Sequence, residues 1–362
     1  MDAPLAASRR IVEGGGHVSA IRVTEAWYIA CLVRELGSTP LARTVLGTPL
    51  VLFRAEDGKA AALLDRCAHR NVPLSLGRVS DGQLECAYHG WRFDGGGHCR
   101  KVPSLCTSPG FKRSIVPHYA TRESEGYVWV FMQPDVEPPS EPFRLPLLTE
   151  RGYSTVRRTV ETEATLHATV ENALDVPHTA FLHGGLFRSS GERNRIKAIV
   201  TRQADRVQTE YVGEPRPEGM AARILAPRGG TVRHFDRFIL PSVAQVEYAL
   251  GEDTHFMVTS ICTPVDDFHT RMYAVVSFRV SRLPAWLIKL VLYPVAMKIF
   301  GQDVAILRAQ AKAIQEFGGE NFTSTDVDLM GPQVWRLLRR AEQGKLGEDD
   351  DPAWRREIDI EV

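Results

Sequence analysis

The chain lacks an excess of either charge. Its 362 residues hold 44 Lys and Arg against 44 Asp and Glu, so nothing global points to nucleic acid or an anionic surface as a partner. It also lacks an uncharged apolar run of membrane-spanning length. The nearest stretch, Leu283 to Phe300, is interrupted by Lys289, Pro294 and Lys298. Arg9 and Arg10 are followed by no apolar segment, so no secretory leader is read. Cysteine is scarce, at positions 31, 67, 86, 99, 106 and 262 only. That spacing is not the framework of a small disulfide-built domain, and a reducing, cytoplasmic setting is expected. There is no Gly-x-Gly-x-x-Gly fingerprint, so the chain is not expected to bind a nicotinamide or flavin itself. There is no internal repeat.

What is present is ordinary globular composition, 44% hydrophobic and 24% charged, at a length that suggests two domains. Residues 1–24, with Gly14-Gly15-Gly16, read as a loose lead-in. Short alternating or apolar runs follow at Pro49 to Arg54, Ala60 to Asp65, Gln83 to Ala87 and Tyr127 to Met132. Turns such as Glu56-Asp57-Gly58 and Ser80-Asp81-Gly82 separate them. Residues 25–133 therefore read as a small all-β domain. The stretch 134–150 reads as a linker, with five prolines from Pro134 to Pro146.

Residues 151–340 mix strand-like runs with two helices, so the whole is α+β. One helix covers Ala164 to Asp175 and continues irregularly to His183. The other is expected to open at Gln302-Asp303 and stop at Gly318-Gly319. Residues 341–362 read as a charged tail. The apolar run Leu283 to Phe300 reads as a core helix first, and as a cavity cap or membrane contact second.

The chemistry concentrates in two places. Cys67-Ala-His69 and Cys86-Ala-Tyr-His89 are separated by sixteen residues. Two thiolates and two imidazoles suit a tetrahedral zinc. They equally suit a [2Fe–2S] cluster in which two His replace two Cys on one iron. Each loop offers one Cys and one His, which favours the cluster, since each loop then gives one ligand to each iron. The second place is Glu-Asn-Ala-Leu-Asp-Val-Pro-His-Thr-Ala-Phe-Leu-His over 171–183. His178 and His183 lie about 140° apart on a regular helix. The chain must bend between them, helped by Pro177, before both rings can reach one metal.

With His69-Arg70 and His89-Gly90-Trp91 included, the first stretch resembles the Rieske domain of the Rieske-type non-haem iron oxygenases. The second resembles their E-N-x-x-D-x-x-H-x4-H segment, in the expected order along the chain. The resemblance implies a Rieske domain followed by a helix-grip catalytic domain. It implies a mononuclear Fe(II) held by His178, His183 and a carboxylate, with O2 as co-substrate. Asp303 is the candidate carboxylate, ahead of Asp326 and Asp328. A plain helix-terminal Asp is its bland alternative.

The resemblance gives Asp175 the role of joining an iron-ligand imidazole to a cluster His of the neighbouring subunit. It places Asn172 and Glu171 near the site. It implies a head-to-tail homotrimer, because cluster and iron within one chain are too far apart for direct transfer. It also implies electrons from NAD(P)H delivered indirectly, by a separate ferredoxin and/or flavin reductase.

The chain looks most like the α-only, monooxygenase-type members, which hydroxylate or demethylate aromatic or polycyclic small molecules. The C-terminal Cys-x-x-Cys of the chlorophyll-degrading subgroup is missing. Ten Lys and Arg against six Asp and Glu over residues 54–113, including Arg66, Arg70, Arg92, Arg100 and Lys101, offer a rim for an acidic ferredoxin. Tyr88 and Trp91 are expected to pack on the cluster and exclude water. Cys99 and Cys106 are expected to be buried and inert rather than redox-active. A cluster-bearing carrier without a working iron site is the alternative reading. It would gain weight if His178, His183 and Asp303 lay apart.

Overall fold

In a computed structural model of the chain, residues 17–107, 110–111, 115–183, 194–215, 232–251, 254–280, 284–345 and 354–361 are described. The Gly14-Gly15-Gly16 lead-in, Leu283 and residues 346–353 of the expected tail lie outside them. Contacts group Arg22–Leu145 into one unit, and Met1–Ile21 with Pro146–Val362 into another.

The first unit is built from small antiparallel sheets. Thr48–Arg54 pairs with Ala60–Leu64 across a tight turn in which Gly58 takes a positive φ. Val51, Phe53, Leu63, Leu74, Leu84, Phe93 and Val116 are buried in one cluster, which also encloses Cys67 and Cys86. Gly97 turns the hairpin below that cluster with φ +74°, and a Cβ there would lie 2.0 Å from the Val116 carbonyl oxygen. Left-handed strain and overpacking then add. Gly97→Ala is expected to destabilise the unit by about 3 kcal/mol, read as a lower denaturant midpoint for loss of the cluster's visible absorbance.

The second unit is an antiparallel sheet with helices. Its strands are β1 (Ser154–Thr162), β2 (Arg195–Arg202), β3 (Arg206–Val212), β4 (Val232–Ile239), β5 (Val243–Leu250), β6 (Thr254–Asp266), β7 (His269–Val280) and β8 (Arg355–Glu361). Among the described residues they lie in the order β1-β7-β6-β5-β4-β3-β2-β8. Alternation sets the faces. On β4, Val232, His234, Asp236 and Phe238 are buried while the residues between them are not.

Helix α1 (Leu166–Leu174) packs on β5 and β6. Thr165 caps it, accepting from the Ala168 N–H at 3.1 Å. It stops at Asp175, whose backbone is extended. Pro177, two residues on, disfavours helical backbone at Val176. A short helix, α2 (His178–Leu182), follows.

Four expectations need correction. The long helix α3 spans Ala285–Glu316 with Pro294 inside it, so it opens well before Gln302. Asp303 is therefore a mid-helix residue, and the helix-terminal explanation for it fails. A further helix, α4 (Gly331–Glu342), buries Val334, Leu337, Leu338 and Ala341, the i, i+3, i+4, i+7 pattern of an amphipathic helix. The charged tail contains β8, which closes one edge of the sheet against β2, with Ile360 buried. The lead-in is held from His17 onward. The Ser19 N–H donates to Glu320 Oε1 at 2.8 Å, and Glu320 N–H donates to the His17 carbonyl at 2.7 Å.

Candidate metal centres

The two Cys/His loops have one backbone design. In the first, Asn71 N–H donates to the Cys67 carbonyl and Cys67 N–H to the Val72 carbonyl, both at 2.9 Å. In the second, Gly90 N–H donates to the Cys86 carbonyl at 3.0 Å and Cys86 N–H to the Trp91 carbonyl at 2.8 Å. The residue four after each cysteine takes the left-handed conformation, Asn71 at φ 60° and Gly90 at φ 69°. Asn and Gly are the residues that do so at least cost.

These turns bury both thiols and bring the His69 and His89 rings to 4.5 Å between centroids. Burial pushes the Cys67 thiol up, and neighbouring Cys86 adds to it. A metal centre bound at this buried pair of sulfurs would offset that cost. Burial, His89 and Arg70 lower the pKa of His69, keeping it neutral. Its Nδ1 is buried without a hydrogen-bond partner. Two thiols, two imidazoles and an orphaned ring nitrogen fit a cluster of the Rieske kind.

Trp91 stacks on His69 at 4.7 Å and 6°. Tyr88 leans on His89 at 3.9 Å but is 63% exposed, so it rims the site rather than sealing it. Cys99 is buried, and its thiol is pushed up to about 11, chiefly by desolvation. Cys106 is exposed, against the expectation of a buried thiol. The basic rim is partly neutralised. Arg92 pairs with Glu85 at 2.7 Å and Arg100 with Asp94 at 2.6 Å, while Arg66, Arg70 and Lys101 are exposed.

In the second unit, His178, His183 and Asp303 come together, with one ligand atom from each lying within 4.8 Å of the others. Both rings turn Nε2 toward Asp303 Oδ1, His183 at 3.1 Å and His178 at 3.7 Å. The departure from helix expected between the two histidines comes at the second of them, His183, the residue after α2. His178 opens α2, His183 follows its last residue at φ −107°, ψ 25°, and the two ring centroids lie 5.2 Å apart. Asp175 Oδ2 accepts from the His178 backbone N–H at 3.0 Å and lies 3.3 Å from its Nδ1. Burial disfavours a charged His178, but the Asp175 and Asp303 carboxylates outweigh it and raise its pKa to about 9. The site is thus built for positive charge, which a metal dication supplies in place of a proton. Two imidazoles and one carboxylate fit a facial triad.

Asn172 Nδ2 reaches Asp303 Oδ1 at 3.5 Å. Glu171 does not reach the triad. It lines a small cleft with Asp175, Tyr211, Asp328 and Gly331. Burial raises its pKa, and His167 opposes while Asp175, Asp328 and Glu320 add to the rise. Asp326 and Asp328 are engaged elsewhere, Asp326 with Arg356 at 2.6 Å and Asp328 with the Thr325 N–H at 2.5 Å.

Two features escaped the sequence reading. Gln302 Oε1 lies 3.0 Å from His183 Nδ1. An amide oxygen there accepts Nδ1–H and leaves Nε2 bare toward Asp303. The signal was its adjacency to Asp303. The other is His234, buried with Nδ1 2.7 Å from Glu214 and Nε2 3.0 Å from Asp236, between the rings of Tyr211 and Tyr248. Only the two-residue alternation of His234 and Asp236 along β4 hinted at it.

Comparison with known proteins covers both units. A Rieske [2Fe-2S] domain family matches residues 26–119, and the family described as vanillate O-demethylase oxygenase C-terminal domain matches residues 162–344. The chain is 36% identical over 237 residues to the oxygenase component of dicamba O-demethylase from Stenotrophomonas maltophilia, covering 64% of this chain and 61% of that protein. It is 28% identical over 342 residues to the chloroplastic protein TIC 55 of Arabidopsis thaliana, covering 90% of this chain and 60% of that protein. The chain thus spans about three fifths of the length of these curated relatives. The crystal structure of dicamba monooxygenase bound to dicamba aligns with a TM-score of 0.72 at 26% identity, covering 91% of this chain and 100% of that one. A structure of dicamba monooxygenase with non-haem iron and dicamba aligns with a TM-score of 0.66 at 25% identity, covering 90% and 99%.

Proposed function

Because the chain belongs to the Rieske non-haem iron oxygenases, we propose that it is a terminal oxygenase of the monooxygenase type, hydroxylating or demethylating a small hydrophobic aromatic or polycyclic molecule. The family's cofactors are a [2Fe–2S] Rieske cluster and a mononuclear non-haem iron. When bound, they supply one-electron transfer and O2 activation. The observation that carries the reading is the convergence of His178, His183 and Asp303 from two separate helices.

Cys67, His69, Cys86 and His89 hold the cluster in the domain of residues 25–133, and the triad holds the iron in the domain of residues 151–340. Asp175 fixes the His178 ring and offers the route for the electron arriving from a neighbouring subunit's cluster in a homotrimer. Tyr88 and Phe111, both exposed beside the ring cluster, suit that edge to docking. Asn172 keeps the Asp303 carboxylate oriented. A separate ferredoxin and/or flavin reductase brings reducing equivalents from NAD(P)H.

Gln302 keeps the buried His183 in the tautomer whose Nε2 can ligate. Gln302→Leu is expected to weaken Fe(II) binding by roughly tenfold to a hundredfold, measured by anaerobic titration, with Gln302→Glu restoring it. Unchanged affinity in Gln302→Leu would remove this role. The proposed activity is tested by a single turnover. Chemically reduced protein meets O2 beside a panel of aryl methyl ethers, N-methyl aromatics and polycyclic hydrocarbons. One oxidised product per chain, with faster cluster reoxidation, is expected for at least one class. Reoxidation indifferent to every class, with iron loaded, contradicts it.

A further inference from the structure

The first half of α3 is not the core helix that its composition suggested. Trp286 and Leu290 are each 67% exposed, Tyr293 40% and Met297 38%, whereas Ile288 is 4% exposed. The steps of four, three and four residues place the exposed set within an arc of about 60°, with Ile288 on the opposite side. The stripe runs about 16 Å along the helix. No other described element covers it. It is also not a membrane span, since no helix among the described residues is long and apolar enough to cross a bilayer.

The surroundings say what it suits. No acidic residue occurs from Ala285 to Gln302. Lys298 is exposed on the same half-helix, and Arg158 on β1 is exposed beside it. Arg158 Nε donates to the Tyr293 hydroxyl at 3.2 Å, and its guanidinium lies 4.6 Å from the ring centre. Tyr293 is thus held with its polar end at a cationic group. Trp and Tyr with apolar bodies and polar edges, Leu and Met between them, and a cationic border without acids are the chemistry of a helix lying in a lipid headgroup region. Arg158 and Lys298 thus put positive charge at the border of an exposed apolar stripe, the arrangement that suits an anionic headgroup layer.

We propose that the Trp286–Met297 face of α3 docks the protein on an anionic bilayer surface. The helix that lies on the lipid also carries Asp303, about 26 Å from Trp286 along the same axis. A substrate dissolved in the bilayer then need not cross water far to reach the catalytic unit.

The test is co-sedimentation of the full, iron-loaded chain with phosphatidylcholine vesicles containing phosphatidylglycerol at about one lipid in four. Wild type is expected to pellet with these vesicles and much less with phosphatidylcholine alone. Trp286→Ser with Leu290→Ser is expected to cut the bound fraction about tenfold or more. Lys298→Glu is expected to weaken binding to the anionic vesicles only. Both variants change exposed side chains, and cluster absorbance with the unfolding midpoint checks their fold. If the double variant is unstable, Leu290→Gln alone replaces it.

Wild type remaining in the supernatant overturns the proposal, as does equal binding by the variants. A double variant that loses native mass while keeping its vesicle binding assigns the stripe to a second copy and also overturns it. None of these outcomes depends on turnover, so failure here is distinct from failure of the oxygenase reading.

Discussion

Asp303→Ala protein is expected to keep the visible spectrum of the cluster and to lose the third iron, and with it turnover. In the wild type, Asp303 Oδ1 lies 3.1 Å from His183 Nε2 and 3.7 Å from His178 Nε2. It is the single carboxylate of the described ligand group. Removing it leaves two imidazoles and no negative ligand. The Fe(II) affinity should fall by more than the roughly hundredfold that losing an outer hydrogen-bond partner costs. The cluster should be spared, because the four residues proposed to hold it sit on loops closed by their own backbone bonds, beside the separate core of Val51, Leu63 and Phe93. Asp303→Asn is the sharper variant. It keeps the shape and an acceptor oxygen while removing the charge, so loss of iron there isolates the electrostatic contribution. Iron analysis with absorbance on one sample reads both centres. Retained iron and normal turnover in Asp303→Ala would remove it from the triad and reopen the carrier reading.

The second large effect is expected at Asp175. Its carboxylate holds the backbone N–H of His178 at 3.0 Å and lies 3.3 Å from Nδ1 of that ring, with Nε2 turned toward Asp303 on the far side. Asp175→Ala is expected to bind both centres and still fail to pass electrons between them, with turnover falling about a hundredfold or more. The measurement is stopped-flow reoxidation of the reduced cluster by O2 with substrate present, set beside iron content. Slow reoxidation with iron in place identifies a transfer defect. Loss of iron would make Asp175 a folding or ligand-supporting residue only. Reoxidation at the wild-type rate would refute the assignment. Asp175→Asn should be intermediate, since it retains an acceptor for the His178 N–H but no charge.

The two Cys/His loops were readable from the sequence because their pattern is local. The Cys and His of each pair, the left-handed turn residue and the closing backbone bonds all fall within six residues of each cysteine. The sheet was readable for a similar reason. Alternation along runs such as Ile196 to Thr201 reports one buried face, with Ile196, Ala198 and Val200 buried and the residues between them not. Helix α3 reads in the sequence as two pieces, an apolar stretch over Leu283 to Phe300 and a helix from Gln302, but it is one helix with Pro294 inside it. Proline removes one intrahelical bond and crowds the preceding turn, but it does not forbid a helix that is anchored elsewhere, here by Ile288 below it and by Leu307, Ala311 and Ile314 beyond it.

That misreading moved Asp303 to a helix end and hid the exposed stripe. Strand β8 reads as a charged tail by composition, because Arg355, Arg356, Glu357, Asp359 and Glu361 outweigh Ile358 and Ile360, though not in period. Gln302 and the His234 group depend on partners 119 and 20 residues away, which no local pattern records.

The most direct test of the account is iron and acid-labile sulfide per chain, on full-length protein purified without air. Three irons and two sulfides are predicted, the third iron leaving selectively in Asp303→Ala. Zinc without sulfide, or two irons and two sulfides that added Fe(II) does not raise to three, would contradict it.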